Sequence, residues 1–472
     1  MKLSWTALAD DRTADGLAGA WIEIEGWMAG MASAAPQTHF ALVAEPACCN
    51  DCLPRSAKAR IEVFTDEPVL PTGHALRLAG RWCVLQDDAA GWRYQLREAR
   101  LLPSPVHNGF TRRAALAAGM AGGVLAGLSA WLPDATAAPD EAALAVATQA
   151  LGDAVTVDLH SHAGSIGGLK RIQEQAPFTP VADPMRAGRM AVICLAMVAD
   201  TPAIRTTEDK RIRPFRDPAP GELYAYAQQA FGRLHGMVKA QKLGVITDAA
   251  SMKAAHADRP SVIVAAEGGD FLEGNPDRLD EACEKWKLRH LQLTHYRVNE
   301  LGDIQTEDPV HGGLTAAGAT MIRRCNERGV IVDIAHGTYD LVKRAVDVTT
   351  KPLVLSHTSL TMTARPYTRL ILPNHAKLVA KTGGVIGVWP PTTIFTTMDE
   401  YAAGIARLVD LTSIDNVGLG SDMQGLLSPS IFPSYRQLPA LAAALMARGF
   451  RREDMLKLLG GNYLRVALAT LS

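Results

Sequence analysis

After residue 150 the chain falls into eight short, almost wholly apolar runs, each followed by a stretch with helical spacing. They are Val155–His160, Ala191–Val198, Val262–Glu267, His290–His295, Val330–His336, Leu353–His357, Gly384–Trp389 and Val417–Asp422. Runs of this length without polar alternation read as strands covered on both faces, and strands separated by helices pair in parallel. Eight such units fit a closed (β/α)8 barrel better than an open sheet. Helix punctuation agrees: Thr315-Ala316-Ala317-Gly318 opens the stretch Ala319–Arg328, and Gly329 stops it.

Six of the eight runs finish in a residue that ligates metals or moves protons: His160 with His162, then Glu267, His295, His336, His357 and Asp422. In such a barrel the C-terminal strand ends share one face, so these residues converge on one mouth. Only 13 histidines occur in 472 residues, and five of them occupy these slots. Alternate residues of a strand point the same way, so His160 and His162 can reach one ion, and neutral imidazole suits zinc. Glu267 can bridge to a second ion completed by His336 and His357. Two metals sharing a hydroxide and polarising a carbonyl is hydrolase chemistry. No lysine ends the third or fourth run, which disfavours a carbamylated-lysine bridge and leaves Glu267 as the bridging candidate. Asp422, in Gly418-Leu419-Gly420-Ser421-Asp422, is placed to take a proton from the metal-held water and hand it to a leaving amine, its other reading being a helix N-cap. His295 is placed to hydrogen-bond a developing oxyanion or to serve structure alone. The remaining histidines, His235, His256, His290, His311 and His375, read as surface or helix residues.

Residues 1–105 have a different texture. Trp21–Gly26, His39–Val43, Arg60–Phe64, Ala75–Gly80 and Trp92–Leu101 alternate with period two, which indicates a small antiparallel barrel or sandwich of the OB type. Cys48, Cys49 and Cys52 could offer thiolates to a metal, but no partner pair at zinc-finger spacing follows; Cys194, Cys283 and Cys325 read as small core residues. Between the two regions, residues 106–150 form a linker. It contains Ala114–Leu132, 19 residues without a charge, preceded by Arg112-Arg113 and followed by Ala135-Thr136-Ala137-Ala138. These are the parts of an export signal of twin-arginine character. Three readings stand: an internal signal-anchor, a start assigned too early, or a linking helix. The first two put residues 151–472 outside the cytoplasm, periplasmic or membrane-anchored. A net charge of -1 gives no reason to expect a nucleic-acid partner.

From about residue 151 to 468 the chain resembles the membrane (renal) dipeptidase family, zinc peptidases of the amidohydrolase barrel superfamily. The resemblance is carried by Val157-Asp158-Leu159-His160-Ser161-His162, Ala266-Glu267-Gly268-Gly269, Leu293-Thr294-His295 with Asn299, Gly312-Gly313-Leu314-Thr315, Gly329–His336, Ser356-His357, Arg369 with Pro373, Gly420-Ser421-Asp422 and Gly460–Val466. It implies two zinc ions, one on His160 and His162, the other on His336 and His357, bridged by Glu267. It also implies substrate contacts from His295 and an arginine, and Asp422 as general acid/base. Arg369 is the choice for the arginine, with Arg365 four residues away. An arginine fork on a free carboxylate suits a dipeptide, D-residues included. Family members often pair, so a homodimer is an allowed assembly, although no interface is readable. One departure stands out: the family usually has His-x-Asp where this chain has His160-x-His162, as in the wider superfamily. That leaves room for another amidohydrolase activity, such as a lactamase, deacetylase or lactonase. A barrel kept only for binding would be expected to lose ligand positions, and here all are filled.

Overall fold

The computed structural model describes residues 3–8, 11–29, 37–44, 56, 59–69, 75–85, 92–102 and 141–471. The chain divides into two compact units. Cys48, Cys49, Cys52 and the segment 114–132 lie outside the described residues.

In the first unit the five alternating runs become β1 (Trp21–Ala29), β2 (Gln37–Val43), β3 (Arg60–Val69), β4 (Ala75–Val84) and β5 (Tyr94–Leu101). They close into a barrel in the order β1-β2-β3-β5-β4, with β3 and β5 parallel and the other pairs antiparallel. Period-two alternation turns Ile22, Ile24, Leu42, Ile61, Val63, Leu78 and Leu96 into a buried interior. Trp82, also buried, donates its indole N–H to the Ala14 carbonyl at 2.9 Å, which satisfies its one polar atom.

The second unit is the expected (β/α)8 barrel. Its strands are β6 (Val157–Ser161), β7 (Val192–Val198), β8 (Ser261–Glu267), β9 (Leu288–Gln292), β10 (Ile331–Asp333), β11 (Val354–Thr358), β12 (Val385–Val388) and β13 (Val417–Leu419). Each pairs in parallel with its neighbours in chain order, and Leu419↔Asp158 closes the ring. The β7–β8 pair runs in register from Val192↔Ser261 to Val198↔Glu267, which fixes Glu267 at the strand tip. Gly387 and Gly420 let the last strands approach closely: a Cβ on either would lie 1.8 or 1.9 Å from the Ser356 carbonyl oxygen.

Outside the strands, the helix Ala316–Arg328 starts where the sequence indicates. Thr315 Oγ1 accepts from the Gly318 N–H at 2.9 Å, and Gly329 ends the helix at φ 65°. The helix Glu141–Leu151, which the sequence reading gave to the linker, belongs to this unit. It buries Ala147, Ala150 and Leu151 against the helix Leu438–Ala447, and Arg452 Nε donates to the Ala150 carbonyl at 2.8 Å. Among the described residues no helix is long and apolar enough to cross a membrane.

One histidine expectation fails. His290 is not on the surface: it lies buried on β9, held by the Tyr463 hydroxyl at 2.8 Å and by Asp333 at 3.1 Å. His375 is on a helix, as expected, and buried there; burial, with the Arg369 charge adding to it, pushes its pKa down to about 4. Cys194, Cys283 and Cys325 are buried as expected.

Candidate active site

All eight residues picked from the strand ends and from the resemblance meet at one barrel mouth. Glu267 is the last residue of β8, and its carboxylate is the hub. Its Oε1 lies 3.3 Å from His160 Nε2, 3.3 Å from His336 Nε2 and 3.4 Å from His357 Nε2. Its Oε2 lies 3.2 Å from His162 Nε2 and 3.3 Å from His295 Nε2. Asp422 Oδ1 is 3.4 Å from His162 Nε2. Backbone bonds tie the first and last strands here: Asp422 N–H donates to the His160 carbonyl at 3.0 Å, and His162 N–H to the Met423 carbonyl at 2.9 Å.

The arrangement fits a metal. Three groups place their ligand atoms within 4.8 Å of one another: His160, Glu267 and His357; His160, His162 and Asp422; Glu267, His295 and His336. His160 and His162 face each other through Nε2 at 3.1 Å, and His336 and His357 at 3.2 Å. Neutral imidazole has one N–H, so nitrogens crowded in this way leave lone pairs for a cation. His162 Nδ1–H donates to the Ala196 carbonyl at 2.9 Å, which fixes the tautomer and leaves Nε2 as the inward acceptor. His357 Nδ1 lies 2.9 Å from Ser356 Oγ. Imidazole nitrogens with carboxylate oxygens are a zinc-type donor set.

The matching family model describes the membrane dipeptidases, peptidase family M19, and covers residues 186–470. The chain belongs to this family. It is 31% identical over 219 residues to dipeptidase aclJ of Aspergillus oryzae, covering 44% of this chain and 51% of that protein. With dipeptidase tcpJ of Claviceps purpurea it shares 30% over 215 residues, 43% of this chain and 49% of the other. The chain thus spans about half the length of the curated relatives it matches. A metallo peptidase from Rhodobacter sphaeroides, solved with a phosphinate mimic of L-Ala-D-Ala, superposes with TM-score 0.57 at 21% identity, over 67% of this chain and 99% of its own. The probable dipeptidase PvdM from Pseudomonas aeruginosa gives 0.58 at 17%, over 70% and 98%. At these identities the two structures show a shared fold.

In this family member the site is electrically two-sided. Burial alone would depress His162, but the Asp422 and Glu267 carboxylates raise its pKa well above the ordinary value. His295 is likewise raised against burial, by Asp200 first and then Glu267. Burial would push Glu267 up, yet the His295 and His160 imidazoles hold it well below the carboxylate range. On the other side, burial and the Arg369 charge push His336 well below its ordinary value, and burial, His160 and Arg369 do the same to His357.

Arg369, rather than the exposed Arg365, is the arginine at the site: it is 8% exposed. Its Nη1 donates to Gln305 Oε1 at 2.9 Å, its Nη2 lies 3.2 Å from His357 Nε2, and its guanidinium sits 5.6 Å from the Trp389 ring centre. A cavity of about 740 Å³ opens above, lined by His162, Glu267, His295, His336, His357, Arg369 and Asp422 together with loop residues. That volume suits a small-molecule ligand.

Sequence reasoning missed two supports. Asp200, two residues past β7, is fully buried; it accepts from His295 Nδ1–H at 2.7 Å and from the Tyr296 N–H at 3.0 Å. It stands at a strand end like the six others, which was the available signal. Asp158, inside β6, accepts from the Ser421 N–H at 2.8 Å and the Tyr435 hydroxyl at 2.8 Å, clamping the chain just before Asp422.

Proposed function

We propose that this chain hydrolyses dipeptides, those with a D-residue among them, using two zinc ions. The observation that carries the reading is the convergence of five imidazoles on Glu267, with Asp422 and Arg369 lining the same cavity. His160 and His162 would hold one ion, His336 and His357 the other, with Glu267 shared between them. When bound, the ions would supply Lewis acidity to the scissile carbonyl and to an attacking water.

The chain's own groups do the rest. Asp422 accepts the proton of the attacking water and returns it to the departing amine. His295, whose Nδ1–H is held by Asp200 and whose charged form is favoured by Asp200 and Glu267, offers Nε2–H to the carbonyl oxygen as negative charge develops there. Arg369, desolvated and fixed by Gln305, clamps the free carboxylate of the substrate and so positions the peptide bond. The export reading of 114–132 is part of the proposal: the barrel works outside the cytoplasm, and a reporter fused after residue 150 should be exported.

Hydrolysis of a dipeptide panel, L-D pairs included, by the zinc-loaded protein with and without chelator tests the reading. Cleavage that chelator abolishes is expected. No cleavage by a protein shown to hold zinc would overturn it and point to another amide or lactone.

A further inference from the structure

The outer part of the cavity has a composition of its own. Among the charged side chains that line it, the carboxylates are Glu267 and Asp422, both at the floor, while Arg171 stands on a short helix and Lys210 on a hairpin turn. Both are exposed, and neither side chain has a hydrogen-bond or ion-pair partner among the described residues. Their neighbours are otherwise engaged: Lys170 pairs with Glu174 at 3.8 Å, and Asp209 accepts from the Thr207 hydroxyl.

The platform that carries Lys210 is anchored. Ile204–Thr206 and Ile212–Pro214 form a hairpin, closed by the Thr207 N–H donating to the Arg211 carbonyl at 2.7 Å. Arg211 donates to the Thr306 carbonyl at 3.1 Å, and Arg213 grips Glu307 with two bonds of 2.9 and 2.7 Å. Lys210 therefore sits at the tip of a tethered arm that also presents Ile204 and Ile212 to the cavity. Arg171 comes from a different element, the helix Leu169–Gln173.

Two unpaired cations lining one cavity concentrate anions in the cleft below. Arg369 at the floor already answers one carboxylate, the free terminus of the proposed substrate. Resting on the dipeptidase reading, we infer that Arg171 and Lys210 form an outer subsite for a second carboxylate, so that the preferred substrates are dipeptides with an aspartate or glutamate side chain.

The test compares kcat/KM of the zinc-loaded full chain for Ala-Asp against Ala-Asn and Asp-Ala against Asn-Ala, in wild type and in R171A/K210A. At least one acidic dipeptide should exceed its amide isostere by about tenfold, the scale of two partly exposed charge contacts, and the double variant should bring that ratio close to one. A wild-type ratio near one, or a ratio that survives the double substitution, would overturn the inference. An equal loss on acidic and amide substrates would overturn it too, because it would assign the rim to the terminal carboxylate. Calorimetric binding of glutarate keeps the two readings apart: its Kd should rise about tenfold in R171A/K210A, and an unchanged Kd refutes the subsite whether or not any dipeptide is cleaved. Absence of all dipeptide cleavage alongside the expected glutarate shift would refute only the dipeptidase reading.

Discussion

The two sides of the barrel mouth use the same residue type to opposite ends. On the side of His162 and His295, Asp422, Glu267 and Asp200 surround the imidazoles and favour their charged forms. On the side of His336 and His357, burial and Arg369 favour the neutral ones. His295 and His336, with ring centres 4.7 Å apart, thus differ in proton affinity because of burial and of which charge was placed beside them. On the function proposed above, proton movement belongs to the side of Asp422 and carboxylate recognition to the side of Arg369.

That assignment can be broken in order of effect. Glu267→Ala touches both sides, so metal content and activity should both vanish, a loss beyond the roughly 10–100-fold cost of removing a ligand's outer partner. Zinc retained at wild-type stoichiometry would contradict the hub. Asp422→Asn strikes the acidic side alone and should lower kcat by about 10²–10⁴-fold while metal content stays, as measured by steady-state kinetics beside elemental analysis. If it strips metal, Asp422 is a ligand instead.

Arg369→Ala strikes the other side. Its signature should be a raised KM, with kcat/KM down by roughly 10–100-fold, the worth of a charged hydrogen bond. A pure kcat effect would refute the division of labour. Asp200→Asn should cost about 10–100-fold through misorientation of His295, with the metal unaffected and the pH profile displaced.

The smallest effect concerns Asp270, behind His295. Burial, with Asp200 beside it, pushes its pKa up to about 7, while Arg297 and Asn299 hold it at 3.1 and 3.0 Å. An acid whose folded pKa is raised stabilises the fold at low pH and loses that contribution as pH climbs toward 7. Between pH 5 and 8 the wild-type Tm should therefore fall a few degrees more steeply than that of Asp270→Asn, followed by calorimetry. Parallel slopes would dismiss the shift.

Much of this was legible beforehand, and the physical reason is periodicity. Strands buried on both faces must be apolar, so their polar terminators stand out, and His160, Glu267, His295, His336, His357 and Asp422 could be picked one by one. Asp200 escaped because it lies two residues beyond a run that ends in Val198, and Asp158 because it sits inside a strand among apolar neighbours. His290 was misplaced because a lone histidine carries no sign of whether it faces a partner or water. Arg171 and Lys210 were invisible because a five-residue helix and a hairpin turn carry no readable period, and only folding brings residues 171 and 210 to one cavity.

His336 and Asp422 hold φ of 69° and 48°, the left-handed region that suits glycine or asparagine. The chain strains at two of the points where its chemistry is placed, by about 1–3 kcal/mol each. A library screened only for survival of heat would therefore be expected to collect glycine or asparagine at 336 and 422. Its hardiest members would be well-made barrels that no longer turn over a substrate.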